Sequence, residues 1–251
     1  MGTRVGIVVL GDEVLNGEIR ESNIAFLLPL LNGWGAEVVL CAILPDDVSI
    51  VSRHLSAYRE EAELLILTGG IGPTPDDITR EAVARAAGVP LVAHPEARAL
   101  LERYYGDRIS ENRLLMAQVP EGAELIPNPV SAAPGFYIAG MAAFPGIPRL
   151  LHEMIGWIKP LVRGERMSRV ILYSGAPESS YAGIMREAIR AFPEVRIGSY
   201  PMLEGEYRVR VVFRSGRLSR ANACASYFEE RMAREGLSVT LRTEESGEDS
   251  G

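Results

Sequence analysis

A glycine-rich turn holds the residues of this chain that are best suited to chemistry. It runs from Thr68 to Thr79, and Gly69, Gly70 and Gly72 fall within four positions. Glycine admits positive φ angles and lets a ligand approach the backbone closely. Backbone N–H groups in such a turn, followed by a helix N-terminus, can bind a phosphate or another anion. The turn is therefore a candidate phosphate site.

Two carboxylates, Asp76 and Asp77, follow the glycines, and this pairing suggests a phosphate held together with a divalent cation. The same residues also fit a purely structural interpretation. Thr74 would be the N-cap of a helix, Pro75 its first residue, and Asp77 would reach back to complete a capping box. The turn alone does not decide between the two interpretations.

Short apolar runs that alternate with amphipathic segments predict a parallel sheet around this turn. The predicted strands cover 4–10, 36–44 and 64–68, and a helix is expected after each, at about 23–31, 48–58 and 78–87. Such βαβ units place parallel strands in one sheet with helices on both of its faces. Ligands of these sheets bind outside the carboxyl ends of the strands.

Acidic residues and turn formers mark three of these strand ends, and we expect their loops to converge on one cleft. They are Gly11-Asp12-Glu13, in an expected loop over 11–17, then Pro45-Asp46-Asp47, and the glycine-rich turn. A fourth segment, Pro145-Gly146-Ile147-Pro148, precedes an amphipathic helix at 149–159. It is either simple turn chemistry or another loop of the same cleft.

The pattern restarts after residues 163–165 and predicts a second, smaller domain. Its expected order is β-α-β-β-α-β, the split-βαβ pattern of ferredoxin-like folds, with a last strand at 237–241. The predicted boundaries are 1–164 for the large domain, 165–242 for the small domain and 243–251 for an acidic, disordered tail.

Composition narrows the function classes. The chain has 251 residues, 47% of them hydrophobic, and a net charge of −7, which argues against a nucleic-acid partner. We expect no membrane span, because no apolar run reaches the roughly 18 residues that one needs. Cys41 and Cys224 are expected to be reduced core residues of a cytoplasmic protein. No lysine follows the glycines, which excludes a Walker-type loop.

Residues 68–79 resemble the signature of the molybdenum-cofactor biosynthesis (MoaB/Mog) domain, in the variant of the N-terminal region of CinA, the competence/damage-inducible protein A family. Further segments match in order and extend the resemblance over nearly the whole chain: Gly11-Asp12-Glu13, Leu44-Pro45-Asp46-Asp47, residues 128–136, Pro145-Gly146-Ile147-Pro148 and residues 193–201. The resemblance implies a three-layer α/β/α molybdopterin-binding-like domain with a mostly parallel sheet, plus a small α+β ferredoxin-like domain.

The resemblance also implies roles for individual residues. Asp46 and Asp77 are expected to be catalytic and, as the metal ligands, to hold a divalent ion such as Mg²⁺. The strand-end loops and the resemblance together give the expected ligand and phosphate contacts: Gly11, Asp12, Glu13, Thr68, Gly69, Gly70, Gly72, Pro73, Thr74, Asp76, Asn128, Ser131, Pro145 and Gly146.

The leading functional hypothesis is a metal-dependent nucleotide pyrophosphatase that hydrolyses ADP-ribose or a related dinucleotide. Molybdopterin binding or adenylylation is one alternative, and a non-catalytic ligand-binding protein is the other. We expect a nucleotide or pterin as the small-molecule partner and a homo-oligomer as the assembly. The chain ends at Gly251, so the amidohydrolase domain that often follows in CinA, and its nicotinamide-nucleotide deamidation, are not expected.

Overall fold

The computed structural model describes residues 2–245, which form two compact units that divide between Gly164 and Glu165. Each unit has its own sheet and its own apolar core. Within the described residues, no helix is both long and apolar enough to cross a membrane.

Eight strands belong to the first unit: β1 (Arg4–Leu10), β2 (Glu37–Leu44), β3 (Leu64–Thr68), β4 (Leu91–Ala93), β5 (Gln118–Pro120), β6 (Glu124–Ile126), β7 (Gly135–Ile138) and β8 (Met141–Phe144). Six of them form one sheet in the order β2-β1-β3-β8-β7-β6, while β4 and β5 pair separately. The four neighbours β2, β1, β3 and β8 are parallel, β7 runs antiparallel to β8, and β6 runs antiparallel to β7. All five residues of β3 are buried, as expected for a strand covered on both faces.

Seven helices accompany these strands: α1 (Asp12–Leu15), α2 (Asn23–Gly33), α3 (Val48–Glu61), α4 (Thr79–Ala87), α5 (Pro95–Tyr105), α6 (Glu111–Leu114) and α7 (Pro148–Met154). One apolar core contains Val51 of α3 and Val83 of α4, and another contains Leu27 of α2 and Leu151 of α7. Because strand residues contribute to both cores, the sheet lies between two helical layers. The predicted three-layer α/β/α fold with a mostly parallel sheet is confirmed.

Two secondary-structure predictions for the first unit were wrong, and so was the expectation that Cys41 is a core residue, since it is exposed. The expected loop at 11–17 contains the single turn α1, closed by the bond from Asn16 N–H to the Asp12 carbonyl, and four residues are too few to show a helical period. The expected helix at 149–159 ends at Met154 and continues as a 3₁₀ helix, Ile155–Leu161. Pro160 lies in that second part, where it lacks the N–H that an α-helix would require.

A small apolar cluster of its own supports the segment that contains α5 and α6. Its buried members are Ala97, Leu101, Met116 and Ala117. Tyr105, at the end of α5, packs against them. This cluster is separate from the two large cores that flank the sheet.

The second unit consists of β9 (Ser168–Ser174), α8 (Glu178–Ala191), β10 (Arg196–Pro201), β11 (Val209–Ser215), α9 (Leu218–Arg234) and β12 (Leu241–Glu245). Its four strands pair antiparallel in the order β10-β11-β9-β12, and residues of α8 and α9 share one core with them. This is the expected ferredoxin-like arrangement.

The last strand was predicted too early in the chain. It is β12, which begins at Leu241 and extends through residues 243–245, the first part of the predicted tail. Leu237 and Val239 have the apolar alternation that predicted the strand at 237–241. They precede β12 in the chain and pack against the core. The polar edge strand itself has no apolar alternation to reveal it. The rest of the predicted tail lies outside the described residues.

The core of the second unit makes a stability prediction possible. Phe228 is fully buried, and its ring centroid lies 5.6 Å from that of Tyr181 and 5.5 Å from that of Phe213. Phe228→Ala should lower the free energy of unfolding by about 3–5 kcal/mol because it leaves a cavity among these rings. Urea denaturation followed by circular dichroism measures the change.

Leu203 provides the control, since its side chain is fully exposed. Leu203→Ala should change the unfolding free energy by less than about 0.5 kcal/mol. Equal effects of the two substitutions would contradict the assigned core.

Candidate functional site

Four loops meet at one edge of the large sheet because β2, β1, β3 and β8 are adjacent and parallel. They follow Leu44, Leu10, Thr68 and Phe144, the last residues of these strands. The expected loops therefore lie at the same edge of the sheet, and so does the fourth loop, whose role the sequence left open.

A cavity of about 560 Å³ opens among the loops after β1, β3 and β8, whereas the loop after β2 contributes no lining residue. Eleven of the residues predicted to bind ligand, or to be catalytic, line it: Glu13, Thr68, Gly69, Gly70, Gly72, Pro73, Asp77, Asn128, Ser131, Pro145 and Gly146. The predicted residues that do not line it are Gly11, Asp12, Asp46, Thr74 and Asp76. Asp46, one of the two aspartates predicted to be catalytic, thus lies outside the cavity wall.

The glycines after β3 let three backbone segments pack closely. Gly69 has a φ of 105°, and a Cβ placed on it would lie 2.2 Å from the carbonyl oxygen of Leu10. Gly70 has a φ of 63°, and its Cβ would lie 2.4 Å from Thr79 Oγ1. A Cβ on Gly146 would lie 3.1 Å from the Gly69 Cα. No other residue type fits the first two positions without moving its neighbours.

Asp77 braces this loop and does not begin a helix. Its Oδ1 accepts the Gly72 N–H at 2.6 Å, and its Oδ2 accepts the Thr74 N–H at 2.8 Å and the Thr74 hydroxyl at 2.6 Å. The predicted capping box is wrong, because α4 starts only at Thr79, but the predicted contact between Asp77 and Thr74 exists. A carboxylate with this many N–H and O–H donors fixes the shape of the loop.

Arg80 also holds the loop, although no sequence motif pointed to it. Its guanidinium donates to the carbonyl oxygens of Gly72, at 3.0 Å, and Ile71, and only 6% of the residue is exposed. Burial lowers the pKa of Arg80 to about 10, while the charge of Asp77 opposes that shift. The group stays cationic at neutral pH, so a positive charge lies directly behind the glycine turn.

The backbone of the turn also has unused hydrogen-bond donors. Gly69 N–H donates to the Phe144 carbonyl and Thr79 N–H to the Gly70 carbonyl. Within residues 2–245, the N–H groups of Gly70 and Ile71 donate to no protein acceptor. Adjacent N–H groups of this kind, next to the first turn of α4, are suited to bind an anion.

Asn23 fastens three elements at the floor of the cavity. Its Nδ2 donates to Thr68 Oγ1 and to the Gly146 carbonyl, both at 2.9 Å, and Thr68 Oγ1 donates to the Pro145 carbonyl at 3.0 Å. Either Ser22 or Asn23 could be the N-cap of α2 by residue type. Ser22 occupies that position without a side-chain bond, and Asn23 is buried in the junction instead. Only its contacts reveal this role.

The loop that contains Asn128 has a similar internal brace. Asn128 Oδ1 accepts the N–H groups of Val130 and Ser131 at 3.1 and 3.0 Å. Its Nδ2 donates to Ser131 Oγ at 2.8 Å and to the Ala133 carbonyl at 2.9 Å. The two predicted binding residues are thus brought together, and Asn128 shapes the loop that presents Ser131 to the cavity.

The carboxylates of the site differ in what they contact. Asp46 Oδ2 accepts the Asp12 N–H at 3.0 Å, and burial raises the pKa of Asp46, an effect to which the charges of Asp12 and Glu13 add. Within the described residues, no group of three or more His, Cys, Asp or Glu side chains could hold a metal ion. A divalent ion would need phosphate and water for most of its ligands. Metal binding by Asp46 and Asp77 stays a prediction.

An apolar wall forms another part of the cavity lining, and no sequence motif pointed to it. It includes Val14, Ile19, Tyr105, Ile147 and Leu150. Ile19 and Ile147 are 57% and 60% exposed, which is unusual for isoleucine. An exposed apolar surface inside a cavity is typical of a binding site for a ring or another flat apolar group.

Known proteins resemble this chain in both units. A family described as probable molybdopterin binding domain matches residues 6–164, and one described as FAD synthase, middle domain, matches residues 166–240. A protein of Aeropyrum pernix is 34% identical, with 97% of this chain and 98% of that protein covered.

Two further relatives carry a more specific name. A CinA-like protein of Thermosynechococcus vestitus is 34% identical over 83% of this chain, which spans only 53% of that protein. The crystal structure of the protein CinA from Thermoplasma acidophilum, described as of unknown function, has a TM-score of 0.59 and 28% sequence identity. The structural match covers 62% of this chain and 97% of the Thermoplasma acidophilum chain.

Because the glycine turn is closely packed, we expect one added methyl group to lower the free energy of unfolding measurably. Gly70→Ala should lower the free energy of unfolding by about 2–4 kcal/mol. The Cβ at this positive φ would displace Thr79 Oγ1, which donates to the Gly69 carbonyl at 2.8 Å. Chemical denaturation measures the loss.

Gly88 is the matched control, because its φ is 73° but nothing lies within 4 Å of its Cβ position. Gly88→Ala should therefore cost only about 1 kcal/mol, the strain of the left-handed conformation alone. Losses of the same size at the two positions would contradict the close contact at Gly70.

Proposed function

Because the chain belongs to the family of probable molybdopterin-binding domains and is CinA-like, we propose that its cavity binds a nucleotide pyrophosphate such as ADP-ribose and hydrolyses it. One observation carries the proposal: a single cavity combines unused N–H donors of a glycine turn with an apolar wall. A nucleotide presents the matching pair, a phosphate and a flat ring.

The phosphate end of the ligand would lie at the glycine turn. The Gly70 and Ile71 N–H groups would donate to phosphate oxygens, and the buried charge of Arg80 would stabilise the anion from behind. The apolar wall around Ile19 and Ile147 would take the ring. A cavity of about 560 Å³ is within the range that encloses ligands of this size.

Glu13 is the best-placed base among the predicted acids. A Cβ placed on Gly11 would lie 2.5 Å from both Oε atoms of Glu13, so the Glu13 carboxylate lies close to the Gly11 backbone. Glu13 also lines the cavity. Within the described residues, that carboxylate accepts no hydrogen bond, whereas both oxygens of Asp77 accept loop donors. We therefore assign proton transfer to Glu13 and loop positioning to Asp77.

The proposed reaction is the attack of water on a phosphorus atom of the pyrophosphate. A new P–O bond forms, the P–O bond to the bridging oxygen breaks, and that oxygen leaves with the other phosphate. Glu13 would accept the proton of the attacking water. The glycine-turn N–H groups would stabilise the charge that develops on the attacked phosphate. A divalent ion, if bound, would supply further charge neutralisation.

Molybdopterin is the second candidate ligand, and the description of the matching family favours it. A pterin with its phosphate has the same two parts, a flat ring and an anion. Direct binding by isothermal titration calorimetry, with ADP-ribose and molybdopterin compared on one preparation, separates the candidates. Binding of either without turnover under any divalent ion would favour a non-catalytic binding protein.

Replacement of the proposed base tests the reaction. Glu13→Gln should lower the turnover of ADP-ribose at least about 100-fold, since a positioned base contributes a factor of this size or more. The dissociation constant should change less than about threefold. Product formation is measured by chromatography with Mg²⁺, with Mn²⁺ and without a divalent ion.

Glu18→Gln is the control, because Glu18 lies in the same segment between β1 and α2 but does not line the cavity, and it should leave turnover unchanged. Full activity of Glu13→Gln would remove Glu13 from the mechanism.

Asp77→Asn separates loop positioning from catalysis. An amide cannot accept from Gly72 and Thr74 through two oxygens, so the loop should loosen. We expect KM for ADP-ribose to rise about tenfold or more, with kcat reduced no more than about threefold. Loss of kcat at an unchanged KM would instead support the catalytic role that the sequence predicted for Asp77.

A further inference from the structure

The cavity wall carries one cation that has no role in the reaction described above. Among the described residues that line the cavity, Arg20 is the only arginine, lysine or histidine. It is exposed, and within residues 2–245 its guanidinium makes no hydrogen bond or ion pair with the protein. Arg80, by contrast, is buried, donates to two loop carbonyl oxygens and does not line the cavity. The donors of Arg20 are therefore the cationic donors that a ligand in the cavity can meet.

The backbone around Arg20 is fixed on both sides. The N–H groups of Glu18 and Ile19 donate to the Glu13 carbonyl at 2.9 and 3.0 Å. Asn23, three residues after Arg20, is held at the cavity floor by the two hydrogen bonds that its side chain donates. The Arg20 side chain thus starts from a fixed part of the cavity wall, next to the proposed base, while its own donors stay free.

The other charges of the wall are negative. Three carboxylates line the cavity, those of Glu13, Glu21 and Asp77. Glu21 accepts the Ile24 N–H at 2.9 Å, and Asp77 accepts N–H groups of its own loop, so neither is paired with Arg20. A wall with this surplus of carboxylates repels an anionic ligand unless a cation offsets it. Arg20 supplies that cation at the surface that the ligand touches.

The number of donors at the glycine turn limits what the turn can bind. Its unused N–H groups are those of Gly70 and Ile71, and they suffice for the oxygens of one phosphate. A pyrophosphate has two phosphates, and the second needs further donors. A guanidinium offers five N–H donors in a planar fork that fits two phosphate oxygens at once. Arg20 matches this need in both charge and geometry.

We propose that Arg20 binds the second phosphate of the ligand and thereby makes the cavity prefer pyrophosphates to monophosphates. The inference rests on the proposed function and states which feature of the substrate the site selects. One phosphate would lie at the glycine turn and the other at Arg20. A nucleotide with a single phosphate would occupy the glycine turn alone and would lack the contact with Arg20.

Binding of ADP-ribose, ADP and AMP to the full chain tests the proposal. The dissociation constants are measured by isothermal titration calorimetry at about pH 8 without a divalent ion. ADP-ribose and AMP each carry about two negative charges under these conditions, because the second pKa of a phosphate monoester is about 6. Their comparison therefore changes the number of phosphates and not the net charge. The parent protein should bind ADP-ribose and ADP at least about tenfold more tightly than AMP.

Replacement of the arginine should remove this preference. Arg20→Ala should weaken the binding of ADP-ribose and of ADP about 10- to 100-fold, since a hydrogen-bonded charge pair is lost, and that of AMP less than about threefold. Arg20→Lys keeps the charge without the planar fork, so its affinity for ADP-ribose should lie between those of the parent and of Arg20→Ala. Arg53→Ala removes an exposed arginine of α3 outside the cavity wall and should change each affinity less than about twofold.

Equal weakening of AMP and ADP-ribose binding by Arg20→Ala would overturn the proposal, because it would reduce Arg20 to general attraction of anions. Equal affinities of the parent for AMP and ADP, or no binding of ADP-ribose, would overturn it too. The test is separate from that of the reaction. Preference for two phosphates without hydrolysis under any divalent ion would refute the proposed reaction and support the role of Arg20. Hydrolysis of ADP-ribose by Arg20→Ala, with the parental dissociation constant, would do the reverse.

Discussion

The candidate site depends on a place where backbone packs against backbone. At residues 69 and 146 the absence of side chains lets the loop after β3 approach the ends of β1 and β8. Asn23 then fastens the same junction through its bonds to Thr68 and Gly146. Because strand ends and loops are joined there, the backbone N–H groups of the turn are held in fixed directions.

Electrostatics at the site follow from this packing. Arg80 is buried under the turn and donates to its carbonyl oxygens, while Asp77 accepts hydrogen bonds from its N–H groups, so this pair of opposite charges maintains the shape of the loop. Glu13 lines the cavity, and its carboxylate accepts no hydrogen bond within the described residues. The carboxylate of Asp77 is thus engaged by the loop, whereas that of Glu13 is not.

The large features of the fold could be predicted because each has a strong local signal. Buried apolar runs mark β1 and β3, and glycine in the left-handed conformation ends α4 at Gly88. The helix start at Thr74 failed because a short loop braced by Asp77 uses the same residue types as a capping box. Short or polar elements such as α1 and β12 carry no periodicity that could reveal them.

The parts of the site that depend on strand order could be predicted from the sequence. The parts that depend on contacts between side chains and distant segments could not. Parallel strand order brings the glycine turn together with Glu13 and Gly146, and the sequence suffices for this. Arg80 and Asn23 act through contacts with carbonyl oxygens and a hydroxyl of other segments, and no residue pattern encodes these contacts. The apolar wall combines residues that are far apart in sequence, such as Ile19 and Ile147.

Tyr105 and Met116 contribute to the cavity wall from the small cluster around α5 and α6, which is separate from the cores that flank the sheet. A region with its own few apolar contacts can open at a lower free energy than the whole unit. Substitutions in this part of the wall are therefore expected to change the shape of the cavity, while the sheet and the glycine turn retain their stability.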